Sequence, residues 1–148
     1  MNYVVYDGIV VSKDFSRWDF TSIGKKGPVR KQVSFSWTGM SKIYNLAFGD
    51  LDENGEIDDL SVSDNGDRDK VLATVVKIVT AYATRFPNRW IHIEGSTESR
   101  TRLYRMAIGL NLEELSLRFS IFCLAGEKWM PFAKDLNVSA FLITIKKP

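Results

Sequence analysis

Residues 48–60 read FGDLDENGEIDDL, and the fold turns on whether they form a calcium loop or a β-turn. A calcium loop implies a helix on each side, whereas a turn implies a strand on each side. A calcium loop takes ligands at positions 1, 3 and 5, Gly at 6, an apolar residue at 8 and a bidentate Glu at 12. Counted from Asp50, the residues Asp50, Asp52, Asn54, Gly55 and Ile57 match, but Ser61 stands where the bidentate Glu belongs. The flanks decide the matter. The preceding KIYNLAF is rich in β-favouring residues, and EIDDLSVSD alternates: Ile57, Asp59, Ser61 and Ser63 on one side, Asp58, Leu60 and Val62 on the other. The stretch is predicted to be a β-hairpin whose Glu53-Asn54-Gly55 loop uses the positive φ that Asn and Gly tolerate.

Working outward, the N-terminal side continues as strands. NYVVY and GIVVS are short apolar runs split by Asp7-Gly8. RWDFTS puts Trp18 and Phe20 on one face, and VRKQVSFSW puts Val29, Lys31, Val33, Phe35 and Trp37 on one face. On the C-terminal side the period changes. Val71, Leu72, Val75, Ile78, Val79, Tyr82 and Phe86 follow helical spacing, with Asp64 or Asp67 as the N-terminal cap and Pro87 as the stop. RWIHIE alternates again, with Ile91 and Ile93 facing a core. GSTESRTRLYRMAIGL is a second helix with Ser96 or Thr97 as cap and Gly109 as C-cap. LSLRFSIFCLA and AFLITIKK are late strands, joined through EKWMPFAKDL as a loop or short hairpin. The expectation is one α+β domain over residues 1–148. Its sheet is an antiparallel, strongly twisted meander with two main helices packed on one face, in the order β-β-β-β-α-β-α-β-β.

Composition sets outer limits. The chain has 148 residues, 45% hydrophobic and 26% charged, enough to bury a core without disulfide or metal. Its net charge of +2 is too small to argue for nucleic acid, so any anion-binding surface must come from local clustering. Cys123 is the only cysteine and lies in the apolar run IFCLA, which suits a buried thiol. The N-terminal MNYVVYDGIVVSKDF lacks the pattern of a secretory signal, and no apolar run reaches membrane-spanning length, so a cytoplasmic protein without membrane contact is expected.

Four constellations carry possible chemistry. In EGSTESRTRLYR a strand ends, a Gly turns the chain and a helix starts with hydroxyl residues, so unpaired N–H groups and arginines gather at one place. Ser96, Thr97, Arg100, Arg102 and Tyr104 are the anion- or partner-binding candidates. Carboxylates at Asp58, Asp59 and Asp67 are the acidic candidates, as counter-ions for those arginines. A basic stretch with interleaved rings (Arg17, Trp18, Phe20, Lys25, Lys26, Arg30, Lys31, Trp37) has the composition of a single-strand binder, though rings in strands more often build cores. His92 and Glu94 are spaced as an acid–base pair on a sheet surface, without a nucleophile nearby.

FTSIGKKGPVRKQVSF, YNLAFGDLDENGEIDD, DNGDRDKVLATVVKIV and IEGSTESRTRLYRMAI together resemble a family of uncharacterised single-domain proteins of Bacteroidetes. The resemblance implies a stand-alone bacterial domain and brings no activity, cofactor or catalytic residue. IEGSTESRTRLYRMAIGLN is also similar to the strand-then-RLY helix of acetyltransferases, but without their Gly-rich pyrophosphate loop. The expected function is a binding or interaction module that recognises a protein or RNA partner through the Arg-rich helix start, with no cofactor and no metal. The alternative is a metal-assisted, nuclease-like enzyme acting on a phosphate-bearing substrate. It would use Asp50, Asp58, Asp59 or Asp67 for the ion and Arg100 or Arg102 for the phosphate.

Overall fold

A computed structural model describes residues 4–58 and 65–147. The elements are β1 (Val10–Val11), β2 (Arg17–Gly24), β3 (Gly27–Trp37), β4 (Ile43–Leu51), β5 (Ile57–Asp58), α1 (Arg68–Arg85), β6 (Trp90–Ile93), α2 (Glu98–Leu110), α3 (Leu112–Leu115), β7 (Phe119–Ala125), β8 (Lys128–Pro131) and β9 (Ala140–Ile145). Among the described residues, nine strands make an open, mostly antiparallel sheet in the order β1-β2-β3-β4-β6-β9-β7-β8, with β5 on β4. The α+β class is as expected, but the element order needs correcting. Among the described residues there are five strands before α1 rather than four, three strands after α2 rather than two, and α3 is an addition. The two-residue strands β1 and β5 are too short to show a period, and β8 comes from the segment read as a loop or short hairpin. Val4–Tyr6, read as part of a strand, is not one; the Tyr6 N–H instead donates to Thr74 Oγ1 at 2.9 Å. Most of the strand expected over EIDDLSVSD lies outside the described residues.

The chain divides into two compact units. The first comprises Met1–Ser36 and Leu46–Tyr82. Here β2 and β3 pair antiparallel with Trp18 opposite Val33 and Phe20 opposite Lys31, so the alternation read in each strand falls on one shared face. Trp18, Phe20, Val33, Phe35, Leu46 and Phe48 are buried, as is the stripe Val71, Leu72, Val75, Ile78, Val79 and Tyr82 of α1. Rings bind these elements together: Tyr6 stacks on Phe20 (5.9 Å), Phe20 on Phe48 (6.5 Å), and Phe35 lies nearly parallel to Tyr82 at 3.7 Å.

The opening stretch is a hairpin in this unit. Asp50 pairs with Asp58 and Leu51 with Ile57, and Gly55 supplies the positive φ (77°). The Asp52 carboxylate accepts the N–H groups of Asn54 (2.8 Å) and Glu56 (2.9 Å), so it holds the turn closed.

The second unit comprises Trp37–Asn45 and Ala83–Pro148. Strands β6, β9, β7 and β8 run antiparallel, with Ile91 opposite Ile143 and Ile143 opposite Ile121. Ile91, Ile93, Ile121, Cys123, Phe141 and Ile143 are buried, and α2 adds Tyr104, Ala107 and Ile108 to the buried set. Gly109 does not end α2 as expected: its φ is not positive, the helix runs on to Leu110, and Asn111 closes it by donating Nδ2–H to Ala107 O at 2.8 Å.

Candidate functional site

The predicted helix start forms a real cleft in the second unit. After Ile93 the chain turns at Gly95, where a Cβ would lie only 2.3 Å from the Thr101 backbone nitrogen, so only glycine fits there. The Gly95 N–H donates to Thr101 Oγ1 (3.1 Å), and Thr97 is the N-cap of α2, its Oγ1 accepting the Arg100 N–H at 3.2 Å. A cleft of about 600 Å³ opens beside this turn, lined by Glu94, Ser96, Thr97, Glu98, Arg102 and Arg105 and by the loop Asn137, Val138 and Ser139. The sequence therefore named Ser96, Thr97 and Arg102 in one place. Arg100 is half-buried and does not line the cleft, while Tyr104 is only 8% exposed and belongs to the buried set. Arg105, which shares a helix face with Arg102 by its spacing, lines the cleft as well; its Nη1 reaches Leu136 O at 3.5 Å, a partner on a loop that the local sequence does not announce. Two arginines (Arg102, Arg105) and two glutamates (Glu94, Glu98) line this cleft, so it carries little net charge.

The acidic candidates belong to the first unit. Asp67 accepts hydrogen bonds from Tyr6 Oη and from Ser22 Oγ (2.5 Å). Ser22 Oγ also accepts from Asn65 Nδ2 (3.0 Å), which donates to Gly27 O as well (2.9 Å). Burial opposes the charge on Asp67, yet the hydrogen bonds from Ser22 and Tyr6, together with the positive charge of Lys31, hold its carboxyl below the ordinary value. Lys31, 7% exposed, is neutralised by Asp50 at 2.5 Å and lies 5.8 Å from the Phe48 ring centroid. Asp58 sits opposite Asp50 in the hairpin. Asp59 and Asp64 lie outside the described residues. Among the described residues, no three His, Cys, Asp or Glu side chains gather as metal ligands would.

A second cleft, of about 650 Å³, follows the end of α1 in the second unit. Pro87 stops the helix and the chain turns through Asn88 into β6. The Arg89 guanidinium lies 3.8 Å from the Phe86 ring centroid and 4.1 Å from that of Tyr44. Trp37, Lys42 and Arg85 complete the lining together with Ser41, Pro87 and Asn88, and no carboxylate is among the lining residues. Trp37 is 61% exposed, with its Nε1–H donated to Ser41 O at 3.0 Å, so the indole is anchored by one edge. Lys147 Nζ adds a further cation at the rim, donating to Pro87 O (3.0 Å) and Asn88 Oδ1 (2.5 Å).

The sequence pointed to interleaved rings and cations but drew the wrong boundary. Trp18, Phe20 and Lys31 are buried, whereas Trp37 alone of that group lines this cleft. Phe86 was read as part of the apolar stripe of α1, and Lys42, Tyr44, Arg85 and Arg89 went unnoticed, because two segments some forty residues apart build the site. The available signal was the pair of arginines flanking the turn in RFPNR.

Fold and site define a mixed α+β protein with a cation–aromatic cleft and a mixed-charge cleft in its second unit. The chain belongs to the family of unknown function DUF6934, whose profile matches residues 2–146. No curated protein and no solved structure matches it. Among the described residues, no helix is long and apolar enough to cross a membrane.

Proposed function

We propose that the protein is a binding module for an unpaired RNA strand, held in the cleft of Trp37, Lys42, Tyr44, Arg85, Phe86 and Arg89. The observation that carries this reading is a lining of three cations and three rings without a carboxylate. Backbone phosphates seek cations, and bases stack on rings whatever their sequence. The charge balance at the start of α2, where Glu94 and Glu98 offset Arg102 and Arg105, suits a neutral or zwitterionic polypeptide surface better than a polyphosphate. The proposal therefore moves the RNA contact from the helix start to this cleft. A bacterial cytoplasmic setting, where such RNA is met, is part of the same proposal.

Fluorescence anisotropy with a labelled eight-nucleotide RNA tests it. Three phosphate contacts give a salt slope of about −2, and Lys42→Ala should make it shallower by about 0.7. Removing one stacking ring with Trp37→Ala should weaken binding roughly 5- to 150-fold. Affinity that ignores salt and both substitutions would refute the assignment, and tight binding of a protein partner abolished by Arg102→Ala would move the site back to the start of α2.

A further inference from the structure

We infer that the outward sheet face formed by β6, β9, β7 and β8 is a base-stacking platform that continues the cleft, taking further nucleotides of the same strand. The inference rests on the reading of the cleft just proposed. Along β6 the buried residues are Ile91 and Ile93, so Trp90 and His92 lie on the opposite face, where both are half-buried. The register carries that face across the sheet: His92 is opposite Leu142, Leu142 opposite Phe122, and Phe122 opposite Pro131, with Leu124 opposite Trp129. On β9, Leu142 and Thr144 are half-buried and aliphatic or small, while Ala140 is buried. Trp90 and Phe122 meet at 5.8 Å with a tilt of 46°, and His92 and Trp129 meet at 6.3 Å with a tilt of 67°. Neither pair is closed face to face. Asn45 Oδ1 lies 3.1 Å from His92 Nδ1 and steadies the imidazole, and Trp129 on the edge strand is 43% exposed.

Two features choose a nucleic-acid strand as the occupant. The first is continuity. Arg89 of the cleft is followed directly by Trp90 of the platform; the Trp90 N–H donates to Lys42 O at 2.8 Å, and Thr144 Oγ1 donates to Arg89 O at 3.2 Å. Cleft and sheet face are thus tied by one backbone hydrogen bond and one from a threonine hydroxyl, on the two sides of β6. The second is the division of labour. Cations collect in the cleft, while the sheet positions Trp90, His92, Phe122, Leu124, Leu142 and Trp129 carry rings or aliphatic groups and no carboxylate. From β6 to β8 is three strand spacings, about 14 Å, on the scale of a four-stranded sheet that stacks two or three bases.

A length series of RNA, from three to twelve nucleotides, tests the platform by anisotropy on the wild type, Trp37→Ala, His92→Ala and Trp129→Ala, with circular dichroism to confirm folding. The expected result is that Trp37→Ala weakens every length. Trp129→Ala should leave the trimer within twofold and weaken the twelve-nucleotide strand fivefold or more, and His92→Ala should act in the same direction. Equal affinities of wild type, Trp129→Ala and His92→Ala for the longest strand, with Trp37→Ala still defective, would overturn the platform and spare the cleft. A change in oligomeric mass by light scattering in Trp129→Ala, with unchanged RNA affinity, would overturn it in favour of contact between copies. Failure of the wild type to bind any length would bring down the cleft assignment and the platform with it.

Discussion

Asp67 accepts hydrogen bonds from Tyr6 Oη and Ser22 Oγ while its own carbonyl accepts the Val71 N–H and closes the first turn of α1. Its folded pKa is depressed below 3.8, the net result of hydrogen bonding outweighing burial. Its contribution is therefore complete above the ordinary carboxylate range and is lost as pH falls through the depressed folded value. Burial, and then the hydrogen bond to Asp67, raise the Tyr6 phenol above 10.0, so that contribution is present below pH 10.0 and lost as pH rises through the raised value. Tyr6→Phe should cost about 1.5–3 kcal/mol in urea unfolding at neutral pH, the range for a hydrogen bond to a charged group. The gap to wild type should narrow as pH falls below the ordinary carboxylate range and through the depressed value at which folded Asp67 protonates. A gap that stays equally wide after Asp67 has protonated, as followed by its carboxyl NMR shift in the folded protein, would mean the Tyr6–Asp67 bond is not its source. The sequence singled out Asp67 as an acidic residue and cap, but its partners lie 45 and 61 residues away, and no local pattern announces them.

At the scale of elements, the long periodic segments were the legible ones. α1 was read from its apolar stripe and its proline stop, and α2 from its hydroxyl start. The hairpin was read correctly from its flanks as far as the described residues reach, Asp58, with Gly55 taking the positive φ. β1 lies within GIVVS and β5 within EIDDLSVSD, both read as strands; the less legible element was β8, read as a loop or short hairpin, whose Trp129-Met130-Pro131 shows no period until Gly126 (φ 64°) turns it back along β7. The cap choice left open between Ser96 and Thr97 falls to Thr97, which sits in extended geometry with its hydroxyl on the Arg100 N–H. Thr97→Ala should therefore lower stability by about 1 kcal/mol in thermal or urea unfolding, and Ser96→Ala should cost much less. Equal losses at the two positions would show that the hydroxyl–N–H bond does not set the helix start.

Across the whole molecule, Cys123 offers a probe of the second unit. It is fully buried, and burial pushes its thiol up from 9.0, which disfavours the reactive thiolate. A disulfide reagent should leave the native protein unlabelled at neutral pH and should label it in step with unfolding in denaturant; rapid labelling of the folded chain would contradict this packing. By itself the sequence determined the α+β class, the two long helices, the hairpin at Asn54-Gly55, and the gathering of Ser96, Thr97 and Arg102 at one helix start. Each of these depends on residues within a few positions of one another, where side-chain period, capping and turn chemistry act directly. Only the tertiary structure decided that β9 lies between β6 and β7, that Lys31 meets Asp50, and that Trp37 and Tyr44 share a cleft with Arg85 and Arg89. Strand order and cleft composition arise from pairing segments distant in the chain. Burying the alternating faces of several strands at once selects that pairing, and no single segment carries it.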